Sequence, residues 1–337
     1  MTILVTGAAG FIGFHVTRAL LKAGHSVVGI DSLNDYYDRS LKYARLDQLR
    51  EHARFTFTKL DLADQEATRF LFARFKPSHV IHLAAQAGVR YSLQFPHTYT
   101  EANITGFLNV LEGCRTHPVK HLIYASSSSV YGANFKTPFS ESDPVNEPQS
   151  LYAATKRANE LMAHTYSHLF QIPTSGLRFF TVYGPWGRPD MAYFSFTKAI
   201  IEGKPIEVFN HGQMWRDFTY IDDVVQAIVR LLDLPPAPEP VRHTLYNVGN
   251  HTPVALGRFI EVIEQTLERK AIVRNKPMQP GDVTITYADV SKLSAATGFA
   301  PSTSIEDGMA RFVAWYRQFY GPKRTPANGD LRELETA

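Results

Sequence analysis

The chain has 337 residues, 44% of them hydrophobic and 20% charged, with a formal net charge of +3. That balance fits one large globular domain or two intimate ones and excludes a wholly disordered or collagen-like chain. The 35 Lys and Arg are scattered rather than massed and no apolar run is long enough to cross a bilayer, so neither nucleic acid nor a membrane is an expected partner.

Residues 2–6 form a β-branched run, a predicted strand, that ends in Gly7-Ala8-Ala9-Gly10-Phe11-Ile12-Gly13, after which residues 14–23 show helical spacing and stop at Gly24. Met1 leads straight into this strand with no targeting pattern, so the expected compartment is cytoplasmic. Strand, glycine turn and helix is the context that binds a dinucleotide. Gly7 permits the tight turn, Gly10 the close approach of pyrophosphate and Gly13 the contact of helix with sheet, while the N–H groups around Phe11 and Ile12 face the phosphates. The next strand, residues 25–30, ends at Asp31, about 20 residues beyond the turn, where a carboxylate accepts from both adenosine ribose hydroxyls. It would repel a 2′-phosphate, and Ser32 and Leu33 offer no cation to hold one, so NAD is expected rather than NADP.

A strand over residues 54–60 leads to Asp61 and Leu62, a helix spans 64–75, and a buried-type strand over 79–83 ends in Ala84-Ala85-Gln86-Ala87-Gly88, small enough for a cofactor to lie across. Asp61 faces the adenine or caps a helix; the residues leave both open. This alternation predicts an α/β fold, a Rossmann-type doubly wound parallel sheet. An amphipathic helix over 98–115 holds Asn103, Gly106, Asn109 and the only cysteine, Cys114, which reads as a small core residue and can form no intrachain disulfide. The strand 121–124 then runs into Ser126-Ser127-Ser128-Ser129, four hydroxyls at the carboxyl end of a central strand, where open sheets bind ligands.

Residues 150–170 read as an amphipathic helix that carries Tyr152 and Lys156, four apart on one face. An ammonium held near a phenol favours its ionised form and makes a poor base usable. Such a pair also arises by chance on a solvated face; the glycine turn and the serine run, in the order the chemistry needs, favour a site. A strand over 174–180 follows, then a loop through Thr181, Arg188 and Asp190, a helix over 191–202, a strand over 206–209, the segment Trp215-Arg216-Asp217-Phe218, a helix over 221–234 and a strand over 245–248. Helices over 255–269 and 305–319 flank a loop holding Pro280-Gly281-Asp282. The expected division is a dinucleotide domain over 1–180, to which 213–249 returns, and a smaller, mostly C-terminal substrate-binding domain over 181–212 and 250–320. The polar stretch 321–337 is expected to be disordered, and no metal site is expected.

With these residues in place the chain resembles the extended short-chain dehydrogenase/reductase family over roughly residues 2–320, on the turn of Gly7, Gly10 and Gly13, the serines before Val130-Tyr131-Gly132, and Tyr152-x3-Lys156. Within that family it is most similar to nucleotide-sugar 4-epimerases, above all those acting on UDP-glucuronate. The resemblance implies bound NAD lined by Leu62, Ala84 and Ala85, a UDP-sugar substrate, and a homodimer formed through helices 98–115 and 150–170. It implies that Ser127 hydrogen-bonds the reacting hydroxyl, that Tyr152 is the acid/base, and that Lys156 holds the nicotinamide ribose and lowers the tyrosine pKa. Arg90 and Arg216 match positions near the diphosphate, and Asp282 one near the uridine ribose. Relatives that dehydrate or decarboxylate usually carry an acid where Ser128 and Ser129 stand, and galactose-type epimerases an Asn where Thr181 stands. Hydroxyls there suit an anionic sugar, which accepts hydrogen bonds from them. Arg188 adds charge near it or is a solvated loop residue. The expected reaction is C4 epimerisation of UDP-glucuronate to UDP-galacturonate through a 4-keto sugar without decarboxylation. A neutral-sugar 4-epimerase and a non-catalytic NAD-binding sensor are the alternatives, the latter at odds with an intact Ser127, Tyr152 and Lys156.

Overall fold

A computed structural model of the chain describes residues 1–238, 241–279 and 281–321. The predicted tail therefore lies outside the described residues, apart from Gly321. Strands β1 (Thr2–Thr6), β2 (Ser26–Asp31), β3 (Phe55–Lys59), β4 (His79–His82), β5 (His121–Ser127) and β6 (Thr174–Phe179) join a late strand, β10 (His243–Val248), in one seven-stranded sheet ordered β10-β6-β5-β4-β1-β2-β3. Every pairing in it is parallel. The chain winds outward from β1 through β2 to β3, then crosses back to β4 on the other side of β1, which opens a crevice at the carboxyl ends of β1 and β4. Three further strands, β7 (Thr181–Tyr183), β9 (Trp215–Tyr220) and β11 (Pro253–Ala255), make a small mixed sheet, and β8 (Pro205–Phe209) pairs with β12 (Ile272–Lys276).

Both faces of the large sheet are covered, and the strand residues show it by alternation. Ile3, Val5, Ile81 and Ile123 enter one apolar cluster, while their neighbours Leu4, Val80 and Leu122 enter the other. On the first face lie helices α1 (Phe11–Lys22) and α2 (Arg39–Arg50); on the second, α3 (Gln65–Phe75), α4 (Gly106–Thr116) and α5 (Leu151–Phe170). Helices α6 (Ala192–Glu202), α7 (Ile221–Leu231), α8 (Leu256–Leu267), α9 (Ser291–Thr297) and α10 (Ile305–Tyr320) complete the chain. Caps mark several starts: Asp38, Asp64 and Ser150 accept from the backbone N–H of Ser40, Ala67 and Ala153.

Several elements differ from the sequence reading. Helix α2, strand β12 and helix α9 were not anticipated; α2 is polar overall, and two of its five buried residues, Lys42 and Arg45, are cations. The single helix expected over 98–115 is instead a turn, Pro96–Tyr99, a π-helical stretch, Thr100–Thr105, and α4. Its wide turn brings Asn103 inward, where the amide Oδ1 accepts from Gln86 N at 2.8 Å and Nδ2 donates to Thr155 Oγ1 at 3.0 Å, tying the end of β4 to α5.

Candidate active site

The glycine turn lies between β1 and α1. Gly7 has φ +69°, and a Cβ there would sit 2.8 Å from Ala84 N, so the turn and the small residues after β4 pack backbone to backbone. A Cβ on Gly13 would run into Gly7 O. Helix α1 starts at Phe11 with Gly10 as its N-cap, and its first-turn N–H groups open on the crevice beside β1. At the end of β2, Asp31 accepts from Ala9 N at 3.2 Å and Leu33 N at 2.8 Å, which fixes its carboxylate across the turn.

A cavity of about 1110 Å³ runs from there along the strand ends, lined by Gly7, Gly10, Phe11, Ile12, Asp31, Asp61, Leu62, Ala84 and Ala85, and then by Ser127, Tyr152 and Lys156. Its volume, the helix N-terminus on its wall and the Asp31 carboxylate beside the glycine turn fit an adenine dinucleotide. Asp61 is part of this wall; its Oδ1 accepts from Ala63 N at 3.0 Å, and the capping of α3 falls to Asp64. Lys42, which the sequence reading passed over, lies 3.5 Å from Asp31 and donates to Asn34 Oδ1 at 2.8 Å. No local spacing marks it, because α2 is polar overall and its lysine reads like a solvated one.

Toward the other end of the cavity, β5 brings up the serines and α5 brings up the tyrosine and lysine. Ser127 caps a 3-10 turn, Ser128–Tyr131, accepting from Ser129 N at 3.2 Å and donating to Ser129 Oγ at 3.1 Å. Burial pushes the Tyr152 phenol above its ordinary value, while a hydrogen bond from Ser127 and the charge of Arg188 act in the opposite sense. Ser127 has one proton and two acceptors, so ionising Tyr152 draws it away from Ser129. Lys156 is 2% exposed and its Nζ donates to Ala125 O at 2.9 Å. Burial alone lowers the ammonium to about 8. Among charged groups, Arg188 also acts on the phenol, and the Lys156 ammonium is anchored at the end of β5 on the same cavity wall.

Arg188 is half-buried on the cavity wall and makes two bonds to Asp190, to Oδ1 at 3.0 Å and to Oδ2 at 2.5 Å, while Tyr36 OH donates to the same Oδ2 at 3.1 Å. It is not a solvated loop residue. Ser128, Ser129 and Thr181 lie where this cavity meets a smaller chamber of about 160 Å³. Arg216 and Asp282 line both spaces, and Arg90, from the far side, pairs with Asp282 at 2.9 Å and stacks its guanidinium 4.5 Å over the Phe209 ring. Phe209 and the Tyr36–Asp190 pair were missed because they meet the site only through long-range folding. Among the described residues, no cluster of His, Cys, Asp or Glu could hold a metal ion, and no helix is long and apolar enough to cross a membrane.

The sequence matches the NAD dependent epimerase/dehydratase family over residues 3–249. The chain belongs to this family. It is similar to UDP-glucuronate 4-epimerase 4 of Arabidopsis thaliana, 47% identical over 342 residues that take in 97% of this chain and 78% of that one. Among solved structures it is similar to UDP-glucuronic acid 4-epimerase from Bacillus cereus in complex with UDP-glucuronic acid and NAD, with a TM-score of 0.88 and 35% identity, covering 95% of this chain and 100% of that one. It is also similar to the UDP-glucose 4-epimerase (TM0509) of Thermotoga maritima with UDP-glucose, with a TM-score of 0.86 and 28% identity over 94% of this chain and 99% of that one. The two TM-scores do not separate an acidic from a neutral sugar. Of these three, the two named for the uronic acid have the higher identities.

Proposed function

We propose that the protein is an NAD-dependent UDP-glucuronate 4-epimerase, interconverting UDP-glucuronate and UDP-galacturonate with the C6 carboxylate retained. The observation that carries this is the meeting of Tyr152, Ser127 and Lys156 with three hydroxyl residues, Ser128, Ser129 and Thr181, at one end of a dinucleotide-sized cavity. NAD+, when bound, would supply the hydride acceptor and donor that inversion at the sugar C4 needs. Gly7, Gly10, Gly13 and Asp31, with Phe11, Ile12, Asp61, Leu62, Ala84 and Ala85, are the residues we assign to holding it.

Tyr152, as phenolate, takes the proton of the C4 hydroxyl and returns it after the ring has turned over; Ser127 donates to the reacting oxygen. Lys156 fixes the neighbouring ribose. Arg90, Arg216 and Asp282 hold the nucleotide end, so that the sugar turns about a fixed diphosphate. The 4-keto uronate is a β-keto acid that loses CO2 readily once its C–C bond aligns with the ketone. Ser128, Ser129 and Thr181 hold the carboxylate out of that alignment by hydrogen bonds, with Arg188 supplying charge.

In this reading residues 1–180 with 213–249 hold the cofactor and 181–212 with 250–320 the nucleotide sugar; the return of β10 to the main sheet supports it. Two copies associate through α4 and α5, where Leu108 and Leu161 are 38% and 53% exposed; sedimentation velocity reads the mass. The cytoplasm is the compartment that suits a chain whose single thiol is buried. The deciding experiment is incubation with UDP-glucuronate and, separately, UDP-glucose, without added cofactor, with products resolved by NMR. Conversion of UDP-glucose alone would replace the acidic-sugar reading with the neutral one.

A further inference from the structure

Arg45 is 0% exposed, and among the described residues no carboxylate lies within ion-pair distance of it. All five of its N–H groups are nonetheless used. Nη1 donates to Ala9 O and to Tyr37 OH, each at 2.8 Å. Nε and Nη2 donate to Trp186 O at 3.2 and 2.6 Å, and Nη2 also reaches Gly187 O at 3.2 Å. One residue earlier in the same loop, Pro185 O accepts from His15 Nε2 at 2.9 Å. A carbonyl can only accept, so the His15 proton is on Nε2; Nδ1 then accepts from Arg18 Nη2 at 3.2 Å. Three consecutive carbonyls, Pro185, Trp186 and Gly187, are thus each held by a side chain from α1 or α2.

The loop needs such restraint. Trp186 has φ +62°, a strained left-handed conformation for a bulky residue. Its ring is wedged against Phe14, Trp315 and Phe319. The next residue after the three held carbonyls is Arg188, whose own N–H donates to Tyr193 OH at 3.1 Å and which shares the cavity wall with Tyr152.

We propose that Arg45 is a positioning residue. By holding the Trp186 and Gly187 carbonyls with the same guanidinium that holds Ala9 in the glycine turn, it sets the direction of Arg188 and couples the dinucleotide turn to the charge beside Tyr152. A buried arginine that served packing alone would have no need to divide its donors between these two loops. The proposal rests on the reading that Tyr152 exchanges the C4 proton of a UDP-hexuronate.

The test is a double-mutant cycle on the NAD-loaded enzyme with UDP-glucuronate: wild type, Arg45→Lys, Arg188→Met and the double variant. A lysine ammonium is a compact point donor and cannot span both loops. Arg45→Lys is expected to lower kcat by about tenfold or more in the wild-type background and by less than about twofold where Arg188 is already methionine. KM for UDP-glucuronate and bound NAD stay within about twofold. Equal losses in the two backgrounds, or a loss confined to KM or to NAD content, overturn the proposal. Should Arg45→Lys not fold, His15→Leu releases the Pro185 carbonyl and enters the same cycle with the same criterion. A wild-type enzyme that leaves UDP-glucuronate unchanged sinks the functional reading itself; an active wild type with multiplicative losses sinks only the role of Arg45.

Discussion

Glu160 on α5 and Arg178 on β6 lie side by side beneath the serine run, paired at 2.8 and 2.9 Å with each side chain 1% exposed. Ser126, the residue before Ser127, donates to the same carboxylate at 2.7 Å, and the Arg178 guanidinium stacks 4.8 Å over the Tyr131 ring. The floor of the site is therefore ionic and dry. Glu160→Ala leaves a buried guanidinium unpaired and should lower stability by roughly 3–5 kcal/mol. The joint change Glu160→Leu with Arg178→Met, which removes both charges, should cost much less. Urea unfolding of the two variants checks the contrast, and equal losses would remove the pairing argument.

Tyr152→Phe removes the hydroxyl that exchanges the C4 proton and leaves the cavity wall intact. Turnover is expected to fall by about 10² to 10⁴, while NAD released on denaturation stays at the wild-type ratio. A variant with near-normal turnover would end the proton role of this residue.

Thr181 opens β7, half-buried between the two chambers. If its hydroxyl holds the sugar carboxylate away from alignment with the 4-ketone, Thr181→Ala raises the share of UDP-pentose among the products seen by NMR. An unchanged share removes Thr181 from this task and leaves it to Ser128 and Ser129.

Four histidines, three of them buried and His243 half-buried, predict an acid-labile fold. Burial lowers His15 and His82 to about 3, and His121 and His243 to about 4, from 6.5. Each stays neutral in the folded chain while the unfolded chain takes up its proton. The stability this gives is whole above pH 6.5 and is lost as pH falls toward the folded values. Each group costs about 1.4 kcal/mol per pH unit in that window, so four together cost roughly 5 kcal/mol per unit. Thermal melts should fall steeply between pH 6.5 and about 4.5; a flat profile there would show that these rings are not held neutral.

The sequence by itself was enough for the parallel sheet, the glycine turn after its first strand, the serine run at the end of a central strand, and the helix that carries Tyr152 and Lys156. Each of these depends on local chemistry: a left-handed turn with no room for a Cβ at Gly7, the 3.6-residue period that puts Tyr152 and Lys156 on one face, and small or hydroxyl residues where strands end. What only the tertiary structure decided was how the charges are paired. Lys42 beside Asp31, Arg90 against Asp282, Arg188 and Tyr152 on one cavity wall and Arg45 gripping two loops join residues that no local spacing pairs. A buried cation in an amphipathic stripe reads, in sequence, like a solvated one, because its partners are backbone carbonyls and side chains that no local spacing reveals. The same holds for Lys156, whose ammonium is anchored on the Ala125 carbonyl, 31 residues away in the chain.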